Sequence, residues 1–240
     1  MDAQDLVNAV YLRATGKTAT FQFTDTKGVK ILGLLNFFQR RWSKATGVDW
    51  ISLYQPMFSL GTVTATDTFD LDTSTIRKLS QQEGDNVRII WPNDTGTINN
   101  PNNYTDYELV PADRMKTDFN QGKYCSRQGG TLVFNKSFET SDPEFGGTLY
   151  VPIYGLVQDM VNPDDTTAVD DPDWLIVRCA AEYVRTDVTR LGQYPNLLAE
   201  ANDIAARMTD DNANDQNTDA TADWNPSPYN PSGIQWWQDE

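Results

Sequence analysis

Apolar residues recur along this chain in two rhythms, one helical and one alternating. Trp174, Val177, Ala181, Val184, Val188 and Leu191 fall at steps of three and four, the spacing that collects side chains on one face of an α-helix. Asp171 and Asp173 flank Pro172 at the start of this stretch, where carboxylates accept orphan backbone N–H groups and proline fits the first turn. Gly192 to Pro195 interrupts the rhythm, with Gly192 suited to a left-handed C-cap and Pro195 to opening a new helix. Leu197, Ala201, Ile204, Ala205 and Met208 then form a second, narrower stripe. Asp173 to Met208 therefore reads as an antiparallel or sharply bent helix pair.

The same period occurs near the N-terminus. Leu6, Val7, Val10 and Tyr11 give a short helix over Gln4 to Arg13, and Ile31, Leu34, Leu35, Phe38 and Trp42 give a longer one over Lys27 to Thr46, with Gly47 as its stop. Arg40, Arg41 and Lys44 crowd the end of the second helix, where cations compensate the helix dipole and also offer a basic docking strip. In the later pair, Arg178, Glu182 and Arg185 are spaced to make one exposed ion-pair line.

From Trp50 the period shortens to alternation, with β-branched and aromatic residues in short runs between turn residues. Eight strands are predicted: Ser59 to Ala65, Thr68 to Leu71, Ile76 to Leu79, Val87 to Trp91, Tyr107 to Pro111, Tyr124 to Gln128, Thr131 to Asn135 and Leu149 to Ile153. Gly129 and Gly130 predict a two-residue hairpin turn, Asn93 to Tyr104 a long polar loop, and Pro111 to Lys116 a helical turn. After Met208 the apolar period stops, and Thr209 to Glu240 is rich in Asp, Asn, Pro and Ser yet carries Trp224, Tyr229, Trp236 and Trp237. Such a segment suits an arm that orders when its aromatic anchors dock. The predicted class is α+β: a helical bundle from the N- and C-terminal helices, an inserted antiparallel β-sandwich or barrel-like region, and an extended C-terminal arm. The divisions fall at 1–48, 49–156, 157–208 and 209–240.

Charge sharpens this division. The net charge is −15 over 240 residues, but residues 1–48 hold 7 basic against 3 acidic side chains, whereas residues 157–240 hold 4 against 17. So acidic a surface opposes ordinary DNA binding, which needs Lys and Arg to displace counterions. It does not oppose enclosing DNA without gripping it. No run of ~18 apolar residues predicts a membrane span, and MDAQDLVNAVYLRATGK lacks a signal-peptide layout. Cys125 and Cys179 read as reduced core or semi-buried thiols, not a disulfide framework, of a protein made in cytosol.

Catalytic chemistry finds little purchase. The chain has no histidine, which removes Ser-His-Asp and Cys-His catalysis and histidine-ligated zinc. Phosphate-cradling and nucleophile-elbow motifs are missing from the sequence. Asp94-Thr95-Gly96 matches an aspartic-protease core but sits in the polar loop, so it reads as a turn. Asp67, Asp70 and Asp72, and the group Asp164, Asp165, Asp170, Asp171 and Asp173, lack EF-hand spacing. Asp210, Asn212 and Asn214 alternate correctly, but the loop's glycine and terminal glutamate are missing. No metal, cofactor or catalytic residue is predicted.

Three pieces carry a resemblance: LLNFFQRRW after the first helix; SLGTVTATDTFDLDTSTIRKLS passing to TDYELVPADRM and GGTLVFN; and PDWLIVRCAAEYVRTDVTRLGQYPNLLAEANDIAARM. Together they resemble the neck proteins of tailed bacteriophages, the head-to-tail connector or adaptor components below the portal ring. The similarity covers most of Leu6 to Met208 and leaves the aromatic tail unmatched. It implies a homo-oligomeric ring, commonly of twelve copies, that joins portal protein to tail or nozzle proteins. DNA would pass through its channel without sequence-specific binding, and the protein would reside in the virion after assembly in the host cytoplasm. The interaction candidates are then Arg40, Arg41, Lys44, Arg178, Glu182, Arg185, Trp224, Tyr229, Trp236 and Trp237. A second reading is a carbohydrate-binding or tail-fibre-associated β module, with Trp91, Tyr104 and Tyr107 as stacking surfaces beside the polar loop. A carboxylate-based enzyme is the third.

Overall fold

A computed structural model describes residues 1–18, 22, 24–80, 85–92, 103–117 and 122–218. The elements in chain order are α1 (Ala3–Thr15), α2 (Thr26–Ser43), β1 (Tyr54–Thr62), β2 (Thr68–Asp70), β3 (Ile76–Leu79), β4 (Val87–Ile90) and β5 (Tyr104–Leu109). They continue with α3 (Ala112–Thr117), β6 (Tyr124–Gln128), β7 (Thr131–Phe134), β8 (Thr148–Gly155), α4 (Pro172–Arg185) and α5 (Tyr194–Thr218). The chain divides into a helical unit, Met1–Leu53 with the chain from Val157 onward, and a β-rich unit, Tyr54–Leu156.

In the helical unit, α4 packs against α1, α2 and α5. A helix with neighbours on several sides needs more than one apolar stripe, and α4 buries Leu175, Ile176, Cys179 and Ala180 as well as Trp174, Val177, Ala181 and Val184. The surrounding helices need only one stripe each, as in α1, where Ala3, Leu6, Val7, Val10 and Ala14 are buried. Helix α1 is closed at both ends: the Asp2 carboxylate accepts from Asp5 N at 2.7 Å, and Gly16, at φ 67°, donates its N–H to Leu12 O. Two buried amides of α2 fasten the returning chain. The Asn36 side chain donates to Met160 O and accepts from Met160 N, both at 2.9 Å, and Gln39 donates to Gln158 O at 2.9 Å.

The helix pair departs from expectation at both ends. Helix α4 stops at Arg185: the Thr186 hydroxyl donates to Tyr183 O, and Asp187 accepts from both the N–H and the hydroxyl of Thr189 to turn the chain. Val188 and Leu191, predicted on the buried face, are therefore 90% and 49% exposed. Gly192 does not adopt the left-handed conformation, and a short 3-10 turn over Leu191–Gln193 leads directly into α5 at Tyr194. Helix α5 also runs past Met208 to Thr218, through residues expected to begin an arm and through the alternating Asp210, Asn212 and Asn214. Its inner face continues with polar residues: the buried Thr209 hydroxyl donates to Ala205 O, while the Asn212 amide accepts from Ile51 N at 2.9 Å and donates to Asp49 O at 3.0 Å. Residues 49–53, expected with the strands, belong to this unit. There Trp50 stacks on Trp42 with centroids 4.8 Å apart, and its indole N–H donates to Trp42 O.

In the β-rich unit the strands form one sheet in the order β1-β8-β4-β5-β6-β7-β2, with β3 also on β8. Strand β8 lies at the middle of its half: β1 covers one edge, while β4 and then β3 take successive lengths of the other. The prediction of an antiparallel sheet fails at one pair, β5 and β6, which run parallel. Helix α3, between them, belongs to the crossover that a parallel connection requires. Strand β1 begins at Tyr54 and ends at Thr62, earlier at both ends than predicted, and β5 begins at Tyr104. Gly129, at φ 64°, makes the predicted hairpin turn. One core cluster takes Val63, Leu149 and Val151 from one half and Leu132, Phe134 and Phe138 from the other, so the sheet curls around a shared interior. The segments 93–102 and 219–240, which include Asp94-Thr95-Gly96 and the four aromatic anchors of the tail, lie outside the described residues.

Replacing Asn212→Ala strips a partner from two part-buried backbone groups at once, and a backbone group left unpaired away from water costs ~1–3 kcal/mol. Urea denaturation of the variant should show a loss of about 2 kcal/mol or more. A loss within the usual scatter of surface substitutions would mean that residues beyond Met208 do not support the core.

Candidate functional site

The outer face of α2 is the most unusual surface of the helical unit. The stripe Ile31, Leu35, Phe38 and Trp42 faces the core, but Val29 and Phe37 are 55% and 45% exposed on the other side. Gly33 lies between them in the helix, with open space above its Cα. Cations surround this apolar line. The Arg41 guanidinium lies 5.5 Å from the Phe37 ring centroid, and Lys30 bonds the Thr186 hydroxyl at 3.1 Å beneath the Tyr183 ring. Arg40 pairs with Asp159 at 3.3 Å, both about half exposed, a geometry worth well under 1 kcal/mol after screening. Lys44 is the C-cap residue. Since α2 contains no acidic residue, its surface is a basic, partly apolar ridge. Arg40, Arg41 and Lys44 are therefore brought together; the apolar members Val29 and Phe37 were legible as hydrophobic residues off the buried stripe.

The α4 line is corrected. Arg178 is buried, with its guanidinium 4.5 Å from the Phe38 ring centroid and 3.8 Å from Glu182. Its position on α4 faces α2, so the ring and one carboxylate replace water, and Nε and Nη1 have no hydrogen-bond partner. Only Glu182 and Arg185, paired at 3.2 Å, remain at the surface. Trp224, Tyr229, Trp236 and Trp237 lie outside the described residues.

The acidic groups serve local architecture. Asp72 accepts from Ser74 and Thr75, and those bonds, the Ser74 hydroxyl first, hold its carboxyl below the usual range. Asp165 is held low by the backbone N–H groups of Asn162 and Val161, and Asp171 caps α4 through Asp173 N. Asp170 shifts the other way, raised by burial. Among the described residues no three His, Cys, Asp or Glu side chains gather as metal ligands, and no helix is long and apolar enough to cross a membrane. Exposed carboxylates Asp203, Asp210 and Asp211 lie along α5.

The aromatic residues proposed for sugar stacking are otherwise engaged. Tyr107 is buried completely. Arg88 covers Tyr104 at 3.9 Å while its two nitrogens grip Asp106, and the Trp91 indole donates to the Thr105 hydroxyl. Beside them is a cluster that nothing in the sequence singled out. Glu144, 2% exposed, accepts from the hydroxyls of Thr105 at 3.0 Å and Tyr107 at 3.5 Å, with Lys136 at 3.5 Å and Lys123 at 3.9 Å. Burial, and then the Glu144 charge, push the Tyr107 hydroxyl well above its usual pKa. A carboxylate so enclosed, and so bonded, acts as a clamp on its loop. Close by, a Cβ on Gly147 would lie 2.3 Å from Ile90 O, so this loop meets β4 at a distance only glycine permits.

A scan against protein-family models and a search of the curated proteins find no match for this chain.

Replacing Glu144→Gln keeps the volume but removes the charge that two lysines and two hydroxyls face; it should lower stability by about 2 kcal/mol in chemical denaturation. An unchanged midpoint would remove the clamp role. Cys125 and Cys179 are both buried and free, and burial pushes both thiols well above the ordinary range. Neither should react with a thiol-specific disulfide reagent in the native state at neutral pH, and both should react once denatured; rapid native labelling would contradict this burial.

Proposed function

We propose that this protein is a non-enzymatic structural adaptor of a virion, a head-to-tail connector whose copies form a ring between portal and tail. One observation supports this reading above the others: a strongly acidic chain keeps a basic, partly apolar ridge on α2 while α5 exposes the carboxylates Asp203, Asp210 and Asp211. Such a pair of unlike surfaces suits heterologous contact, in which one face of a subunit meets a different face of the next, and such contacts close into rings. Charge complementarity would fix register and suppress wrong partners. Exposed Val29 and Phe37 supply the apolar centre that an interface needs beyond its charges.

In this reading the helical unit makes the subunit and portal contacts, and the strand-rich unit faces the tail. Residues 219–240 latch to an adjoining protein through Trp224, Tyr229, Trp236 and Trp237. The acidic remainder of the surface repels phosphates, so DNA in the channel slides rather than binds. The ring of twelve follows from the resemblance to neck proteins. No cofactor takes part.

Light scattering and negative-stain microscopy of the full chain, alone and with portal protein, test the reading. The expected result is a ring, or its assembly on the portal. Reversing R40E, R41E and K44E together should weaken assembly at least tenfold without altering the circular dichroism spectrum. A persistent monomer that never joins the portal would overturn the adaptor reading; assembly indifferent to the reversal would remove α2 from the interface.

A further inference from the structure

The exposed face of α2 has a regular build. Val29, Gly33, Phe37 and Arg41 are spaced by four and so form one row along the helix. All four are exposed. A Cβ on Gly33 would meet nothing within 4 Å among the described residues, so the row has a notch between its two apolar side chains. Glycine inside a helix costs ~1 kcal/mol relative to alanine, and no crowding among those residues requires it there. Arg40 and Lys44, also exposed, join Arg41 at the C-terminal end of the row.

The end of α5 lies near that basic end. Asn212 accepts from Ile51 N and donates to Asp49 O, in the segment that follows α2 and is tied back to it by the stacking of Trp50 on Trp42. Helix α5 ends at Thr218, six residues past Asn212, which is ~9 Å of helix. The chain then continues through residues 219–240, whose composition is the complement of the ridge. Asp223, Asp239 and Glu240 accompany Trp224, Trp236 and Trp237, and no Lys or Arg follows Arg207 in the sequence.

We propose that, in the free subunit, residues 219–240 cover the α2 ridge of their own chain. Aromatic rings of the tail fill the notch at Gly33 between Val29 and Phe37, where burial removes apolar surface from water. Its carboxylates meet Arg40, Arg41 and Lys44, and guanidinium groups also favour the faces of tryptophan rings. Length permits this: the 22 residues span up to ~70 Å when extended, and α2, with 18 residues, is ~27 Å long. Tethering selects this occupant over the tail of another copy, since a segment held by a short linker has an effective concentration in the mM range. Where the ridge also serves a neighbouring subunit, tail and neighbour compete for it; the cover itself does not depend on the adaptor reading.

Disulfide trapping in the full chain tests it, with the native Cys125 and Cys179 buried out of reach. G33C and S232C are introduced together; D203C with S232C is the control, Asp203 being an exposed position of α5 ~22 Å from the end of that helix. At ~1 µM chain, far below the effective concentration of a tethered segment, G33C and S232C should close within one chain at least tenfold faster than the control pair. Adding R40E, R41E and K44E should slow closure to the control rate with an unchanged circular dichroism spectrum. Chains carrying G33C alone, mixed with chains carrying S232C alone, should cross-link at least tenfold more slowly than the double variant closes. The proposal is overturned if the pair closes at the control rate, if the charge reversal leaves the rate unchanged, or if the mixed chains cross-link as fast as the double variant, which would give the ridge to another copy's tail. A chain that joins the portal yet closes at the control rate keeps the adaptor reading and loses the cover; rapid closure in a chain that never joins the portal does the reverse.

Discussion

The packing of α4 on three other helices is the constraint on which the helical unit depends. Burying a large apolar side chain stabilises by ~1.5–3 kcal/mol, and α4 alone buries Trp174, Leu175, Ile176, Val177 and Val184. Its small residues matter equally. Cys179, Ala180 and Ala181 are all fully buried, and short side chains let neighbouring helices approach closely. A helix placed in this way has little surface to spare, which accounts for Arg178. Its stem lies along the interior, its charge meets the Phe38 ring, and Glu182 is the nearest carboxylate at 3.8 Å. Replacing such a residue by an apolar one of similar volume is often neutral or stabilising, so its retention is not explained by stability alone.

Much of this order was legible in the sequence, and the failures have identifiable causes. Apolar period located all four long helices, and alternation located eight strands, because each element buries one recognisable set of side chains. Period alone could not stop α4. Val188 and Leu191 continue its spacing, but Thr186, Asp187 and Thr189 satisfy the chain's polar groups locally and end the helix before them. The opposite error occurred in α5. Its inner face passes from Met208 to Thr209 and Asn212, whose polar side chains are buried because backbone groups at Ala205, Asp49 and Ile51 bond them. A hydrophobic pattern cannot register a face completed by hydrogen bonds. The parallel pairing of β5 and β6 was equally silent, since strand direction depends on the route of the crossover and not on the residues paired.

The same contrast applies to the sites. The cations of α2 were visible as a cluster because Arg40, Arg41 and Lys44 are close in sequence. Val29 in the first turn of α2 and Phe37 towards its end are exposed as well, so the surface is apolar along its length and not only basic at its C-terminus. Glu144 and its partners Thr105, Tyr107, Lys123 and Lys136 are scattered over the β-rich unit, and only folding assembles them.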